Sequence, residues 1–390
     1  MHAAFETSGE VPIIRKKMYN VRMDFSIYLN RIEKELAHAL PCRPDEKWTE
    51  GCFGTLFESS DESHIMPLLE PTRSLVDLGG KRWRPLLLVL CAKAMCIREK
   101  KSRDDADSIL ENAYRLTPLV EFVHTASLIH DDIEDKSETR RGKQAAYLTY
   151  GLDVSLNAAS WLYFQASTCI SALDVEPEMK NKLYGLYTME VRRLHLGQAM
   201  DMKWHNDKYS CPGTGEYLAM VRCKTGTLSS LAAKTGTLVS HADPDLIEKA
   251  GSAASKIGAG FQIIDDVINL TTGNPGKKRG DDIVEGKKSL PVLTFLNRVG
   301  NQSKEASKLT ECFEKASSEG ISSPAVEEAI GLLEASGAVD SAAEEGKSLI
   351  HEACADFESV FGAENSVTME IKELFTAMIP KKYLKEESRA

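Results

Sequence analysis

Organised cysteine chemistry is missing from this chain. Its nine cysteines, at 42, 52, 91, 96, 169, 211, 223, 312 and 354, form no C-x-x-C pair and no zinc-like spacing, and the odd number resists a closed disulfide framework. A reducing compartment fits that usage. Long apolar runs are missing too: the longest, Pro85 to Ile97, is broken by Lys93 and is too short to span a bilayer, so the chain reads as a soluble, cytoplasmic protein. No long Lys/Arg tract offsets the net charge of −10, which argues against a nucleic-acid-binding surface. There is no internal repeat, no low-complexity segment and no sustained alternation of period two that would announce strands.

What is present is apolar material for a sizeable core, 42% of 390 residues, spaced for helices. From Asp24 onward apolar residues recur three and four apart, as in Phe25, Tyr28, Leu29, Ile32 and Leu36, so the fold class reads as all-α. Breaks are expected at 41–63, 140–142, 211–215, 271–285 and 317–324, where Gly, Pro, Ser or charge gather. Beyond Pro324 the amphipathic stretches 325–335 and 342–361 read as packing elements. In the first residues Arg15, Lys16, Lys17 and Arg22 are accompanied by Glu6 and Glu10, which weakens a transit-peptide reading. Residues 1–24 are therefore read as a loose extension and 25–390 as a single helical domain.

The densest chemistry lies in HTASLIHDDIED, residues 124–135, where four acidic groups crowd the end of an apolar run and Arg140 and Arg141 follow. Like charges one turn apart repel, and burying them is costly unless a cation is bound. Asp131 and Asp135, at i and i+4, share a helical face and can reach one oxygen-ligated ion. Mg²⁺, usually held by one or two carboxylates plus substrate phosphates, is the first candidate. The segment 260–269 repeats the design, with Asp265, Asp266 and Asn269 after an apolar run and Lys277 and Lys287 downstream.

Three further segments carry cations or isolated polar groups. GGKRWRP, residues 79–85, puts a glycine turn, Lys81 and Arg84 at a helix start, where backbone N–H groups and the macrodipole favour an anion. Lys224, Thr225 and Gly226 interrupt the apolar stretch 217–239 at a point where a helix could loosen or kink. Gln198 and Asp201 read equally as a satisfied polar pair in a helix core. His124 stands two turns before Asp131 on the same face and could bond a phosphate.

The ordered set GGKRWRP, HTASLIHDDIED, RRG, KTG, FQIIDD and GDDIVEGKKSLP, from about residue 75 to 292, resembles the trans-prenyl diphosphate synthases, and DDIED with a second group ending in Asn resembles the eukaryote-type geranylgeranyl diphosphate synthases. The resemblance implies an isoprenoid-synthase-type bundle of antiparallel helices around a deep central pocket, Mg²⁺ (three ions) and likeness to a homodimer or higher homo-oligomer. It implies that Asp131, Asp135 and Asp265 hold metal, with Asp132, Asp266 and Asn269 supporting them. Arg140, Lys224, Thr225, Gln262, Lys277 and Lys287 would line the allylic diphosphate, and Lys81, Arg84, His124 and Arg141 would hold isopentenyl diphosphate. The expected activity is prenyl transfer to give geranylgeranyl diphosphate, with a farnesyl or longer-chain product as the alternative. Ala126 and Ser127 are small, roughly 6–8 Å along the helix from Asp131 at 1.5 Å per residue, and leave the tail path open. Trp161, Tyr163 and Phe164 are candidates for its floor. A metal-dependent phosphohydrolase built on His130 and Asp131 is the reading from a different class; it lacks convincing histidine partners and leaves the Asp265 group unexplained.

Overall fold

The structure, a computed structural model, describes residues 24–56, 61–207, 211–273 and 279–384. All but the last residue of the expected N-terminal extension, and Lys277, lie outside these. The long helices of the described residues include Trp83–Arg98, Thr117–Glu134, Pro177–Asn206, Pro244–Thr271 and Ala338–Phe361. Proline stands in the first turn of several helices, where its missing N–H has no helical acceptor to lose; Pro244 does so behind an Asp243 cap that accepts from Asp245 N. Trp83–Arg98 is apolar nearly all round and is buried nearly all round. It packs on Thr227–Val239, itself wholly buried, which packs on Pro244–Thr271 and through it on Ala338–Phe361. Thr117–Glu134 packs on Leu152–Ala166. One buried apolar cluster runs through these layers from Phe25 to Tyr383.

Several expected breaks have structure of their own. The 41–63 segment contains the helix Glu46–Phe53, capped by Asp45, whose Phe53 stacks on Trp161. At 140–142 the chain makes a two-stranded hairpin, Thr139 opposite Gln144 and Arg140 opposite Lys143. Its two turn residues, Arg141 and Gly142, both have positive φ (53° and 75°), the pattern of a type I′ turn. Near 271–285 a short helix, Asp281–Glu285, is bounded by Gly280 and Gly286. The stretch expected as one helix from 217 to 239 is two, Thr214–Val221 and Thr227–Val239, joined by a π-helical turn at Arg222–Gly226. The loosening expected at Gly226 is this turn, and such turns recur at functional sites.

Candidate active site

The π-helical turn is held by close backbone contact on two sides. A Cβ at Gly197 would overlap the main-chain nitrogen of Lys224, and one at Gly258 would lie 2.6 Å from Gly226 Cα. Only side-chain-free crossings let Pro177–Asn206 and Pro244–Thr271 approach this near. The approach presents Lys224 to a cavity of about 1070 Å³ into which both acidic groups face.

Asp131 lies in the last turn of Thr117–Glu134 and Asp135 caps it, so both carboxylates sit at the negative end of a helix dipole. Lys224 Nζ is 3.1 Å from Asp131 and 2.6 Å from Asp201. Burial works to raise the Asp131 pKa, but Lys224, Lys287 and Arg140 overcome it and hold the carboxyl far below its usual range. For Asp135 the balance goes the other way: burial, then the charge of Asp131, outweighs Lys287 and Lys224 and pushes it up to about 7. Lys287 pairs with Glu285 at 2.6 Å and Asp282 at 3.4 Å, and its charge is also felt by both aspartates of the first group. Burial, with Asp282 nearby, pushes Asp266 up to about 7. Carboxylates and cations are thus interleaved along the cavity wall, with the acidic groups held close enough to raise one another.

A second cationic region stands at the Gly79–Gly80 turn. Arg141 donates to the carbonyl of Gly79, and Gly80 lies against its guanidinium. Arg84 is buried in the cavity wall and its Nε has no hydrogen-bond partner. Burial, with Arg141 adding repulsion, lowers the guanidinium pKa to about 10. A buried N–H without an acceptor is costly, and an incoming anion would satisfy it. Lys81 lies with its ammonium 5.3 Å from the Phe261 ring at the same wall. His124 lines the cavity, and burial followed by the charges of Arg84 and Arg141 holds its pKa well below the usual value, leaving a neutral donor. Arg82, between Lys81 and Arg84 in sequence, is instead buried against Glu121 and Glu33 and is structural.

The three residues expected to support the metal-holding aspartates are hydrogen-bonded within the protein. Asp132 is 2% exposed and accepts from Arg140 Nε at 2.8 Å, which anchors that arginine. Asp266 accepts from Tyr217 Oη and Gln262 Nε2, and Asn269 Oδ1 accepts from Asp282 N at 3.3 Å. Asp131, Asp135 and Asp265 line the cavity, as do Asp266 and Asn269. Among the described residues no three Asp, Glu, His or Cys side chains close into a metal cage. Oxygen donors spread across a cavity suit Mg²⁺, which keeps several waters and is completed by substrate phosphates.

Gln198, Asp201 and Tyr217 also belong to this wall. Gln198 Nε2 donates to Asp131 at 3.2 Å, so the Gln198 and Asp201 pair does not serve only the helix core. The sequence signal for that pair is a glycine beside polar residues near Leu194, Leu196 and Met200.

The floor residues separate. Tyr163 lines the cavity, stacks on His130 at 5.6 Å and leans on His195 at 5.1 Å. Phe164 is 77% exposed and cannot be a floor within this chain, and Trp161 is turned to Phe53. Ser127 lines the cavity, whereas Ala126 is wholly buried. His130 faces Tyr163 and Ser160, so the His–Asp metal pair of a phosphohydrolase is not assembled.

The sequence profile of the polyprenyl synthetases matches residues 66–329. A geranylgeranyl diphosphate synthase of Methanosarcina mazei is 34% identical over 233 residues, 59% of this chain and 68% of that protein. A geranylgeranyl pyrophosphate synthase of Gibberella zeae is 32% identical over 65% of this chain and 64% of its own, and one of Macrophomina phaseolina is 37% identical over 45% and 52%. The chain therefore spans about half to two thirds of the lengths of these fungal relatives. The crystal structure of a geranylgeranyl pyrophosphate synthetase from Pyrococcus horikoshii superposes with a TM-score of 0.74 at 26% identity, covering 92% of this chain and 97% of that one. With its all-helical bundle, the paired acidic groups across one cavity and the profile match over most of its length, this chain belongs to the polyprenyl synthetase family.

Proposed function

We propose that this chain is a prenyltransferase that condenses isopentenyl diphosphate with an allylic diphosphate and releases geranylgeranyl diphosphate, with residues 25–390 acting as one catalytic unit. The observation that carries the reading is one cavity with two anion sites: Arg84 and Arg141 at one wall, Lys224, Lys287 and Arg140 beside the acidic groups at the other. A phosphohydrolase needs only one. Asp131, Asp135 and Asp265 would hold Mg²⁺, three ions by likeness to the family, which supplies charge neutralisation at the leaving diphosphate. Lys224, Lys287 and Arg140 neutralise the same developing charge from fixed positions. Arg84, Arg141, Lys81 and His124 orient isopentenyl diphosphate so that its alkene faces the allylic carbon. The allylic carbon–oxygen bond breaks to give an allylic cation and diphosphate, the isopentenyl alkene attacks that cation to form the new carbon–carbon bond, and the proton then lost from the isopentenyl unit goes to the released diphosphate. Positioning two substrates in a dry site supplies much of the acceleration.

A homodimer fits the surface. Leu152, Leu156 and Phe164 on one helix and Leu196 on its neighbour, joined where Tyr187 Oη donates to the Tyr163 carbonyl, are all at least 45% exposed. No helix of the described residues is long and apolar enough to cross a membrane. The cysteine usage fits a reducing compartment, and on that ground we place the activity in the cytoplasm.

Incubating the purified chain with Mg²⁺, isopentenyl diphosphate and dimethylallyl, geranyl or farnesyl diphosphate in turn should give a twenty-carbon product. Asp131→Ala should lower turnover by orders of magnitude at saturating Mg²⁺ without unfolding the protein. Turnover unchanged in that variant overturns the metal assignment.

A further inference from the structure

The turn carrying Lys224 and the helix carrying Asp265 are tied by hydrogen bonds that the chemistry above does not use. Thr225 Oγ1 donates to Gln262 Oε1 at 3.1 Å, Gln262 Nε2 donates to Asp266 Oδ1 at 3.0 Å, and Tyr217 Oη donates to Asp266 Oδ2 at 2.8 Å. Tyr217 lies on Thr214–Val221, the helix that runs directly into the turn, so the main chain closes the circuit. Both oxygens of Asp266 are taken by neutral donors, and the residue is 6% exposed. Asp265, its neighbour, faces the cavity.

Packing alone does not call for a tyrosine here. The side chain is 1% exposed, and phenylalanine would fill the same volume without a polar group to satisfy. What the hydroxyl adds is a second fixed link, beside the Thr225–Gln262 bond, between two elements that cross at Gly226 and Gly258. A carboxylate bonded on both oxygens also cannot swing out to compete for the ligand of its neighbour.

We infer that Tyr217 is a positioning residue: its hydroxyl locks the Asp265–Asp266 end of one helix to the turn that presents Lys224 and Thr225, and so fixes the span across which a divalent cation and a diphosphate are held. The inference rests on the proposed prenyl-transfer reading for the identity of that ligand. Outer partners of this kind change metal affinity or activity about 10- to 100-fold when removed.

The test is Tyr217→Phe in the full chain. The Mg²⁺ concentration giving half-maximal turnover should rise about ten-fold or more. Amide hydrogen exchange supplies a readout that does not depend on turnover. In the wild-type protein, Mg²⁺ with inorganic diphosphate should protect residues 214–226 and 262–270 together, over one range of Mg²⁺ concentration. In Tyr217→Phe the second segment should be protected and the first should lag. An unchanged Mg²⁺ dependence with joint protection retained overturns the proposal, as does a variant altered only in its ligand-free Tm, which marks a packing role. If Tyr217→Phe does not fold, wild-type exchange decides: separate protection of the two segments overturns the circuit. A wild-type chain that elongates no primer yet shows joint protection would sink the functional reading and leave the positioning role standing.

Discussion

Asp131 and Asp132 are adjacent in sequence and opposite in duty. The first is partly exposed to the cavity beside Lys224, and the second is sealed against Arg140. Helical spacing made Asp131 and Asp135 legible as a shared face, because the period of the helix fixes which side chains align. It does not show what stands opposite: the Tyr217 hydroxyl that holds Asp266 comes from another helix 49 residues away. Arg84 illustrates the same limit in the favourable direction: the helix-start pattern located it, and the unsatisfied Nε gives it an anion to seek. Arg84→Ala should therefore raise the KM for isopentenyl diphosphate about 10- to 100-fold, the loss of a charged hydrogen bond, while the primer KM moves little. Equal effects on both substrates in steady-state assays would reassign the site. The raised carboxyls make a second prediction. Asp135 and Asp266, near 7 in the folded chain, and Asp282, near 6, titrate at about 3.8 when unfolded, so the folded state binds protons more tightly. Their contribution to stability is fully present below pH 4 and is lost as pH rises to about 7. The lowered Asp131 works in the other direction, but only below its unfolded value and outside this window. Ligand-free Tm should fall between pH 5 and 7.5 relative to a sample with Mg²⁺ and diphosphate, so the Tm increase produced by those ligands should grow with pH.

At the level of elements, the legible part was what periodicity and glycine report. Amphipathic spacing gave the helices, and the glycine after Lys224 and Thr225 marked the loosened turn. The hairpin at 139–144 escaped because two residues per strand carry no pattern, and the helix Glu46–Phe53 escaped because the surrounding composition reads as loop. Gly197 was visible as a glycine but not as a crossing, since its reason lies on a different helix. Gly197→Ala should push the Lys224 turn away from Asp131. Overpacking of this kind typically costs about 1–3 kcal/mol, and turnover should fall at least about 100-fold because displacement reaches the chemistry. A thermal melt and a single-turnover assay would check both, and full activity would mean that the crossing can relax.

For the whole molecule, the open question is where the growing tail stops. Ser127 stands on the cavity wall, and its hydroxyl donates to the His124 carbonyl at 2.8 Å. Tyr163, held between His130 and His195, is the bulky surface that remains after Trp161 and Phe164 are accounted for. Aromatic residues at helical spacing look alike in sequence, whether they line a cavity, stack outside it or face solvent. Ser127→Phe should shorten the product to fifteen carbons, read by chromatography of the dephosphorylated alcohols; an unchanged distribution would place the tail elsewhere. The hairpin that turns at Arg141 and Gly142 has a consequence for how a gene of this kind can change. Arg140 reaches Asp132 and Arg141 reaches the Gly79 carbonyl because the turn has two residues and the strands have one register. Inserting or deleting a single codon there would break the two-residue turn and shift the register, taking Arg140 away from Asp132 and Arg141 away from the Gly79 carbonyl. Substitutions in Lys143 and Gln144 are exposed and cheap to accept, whereas the length of the loop is not, so drift in this segment should run through point changes and avoid indels.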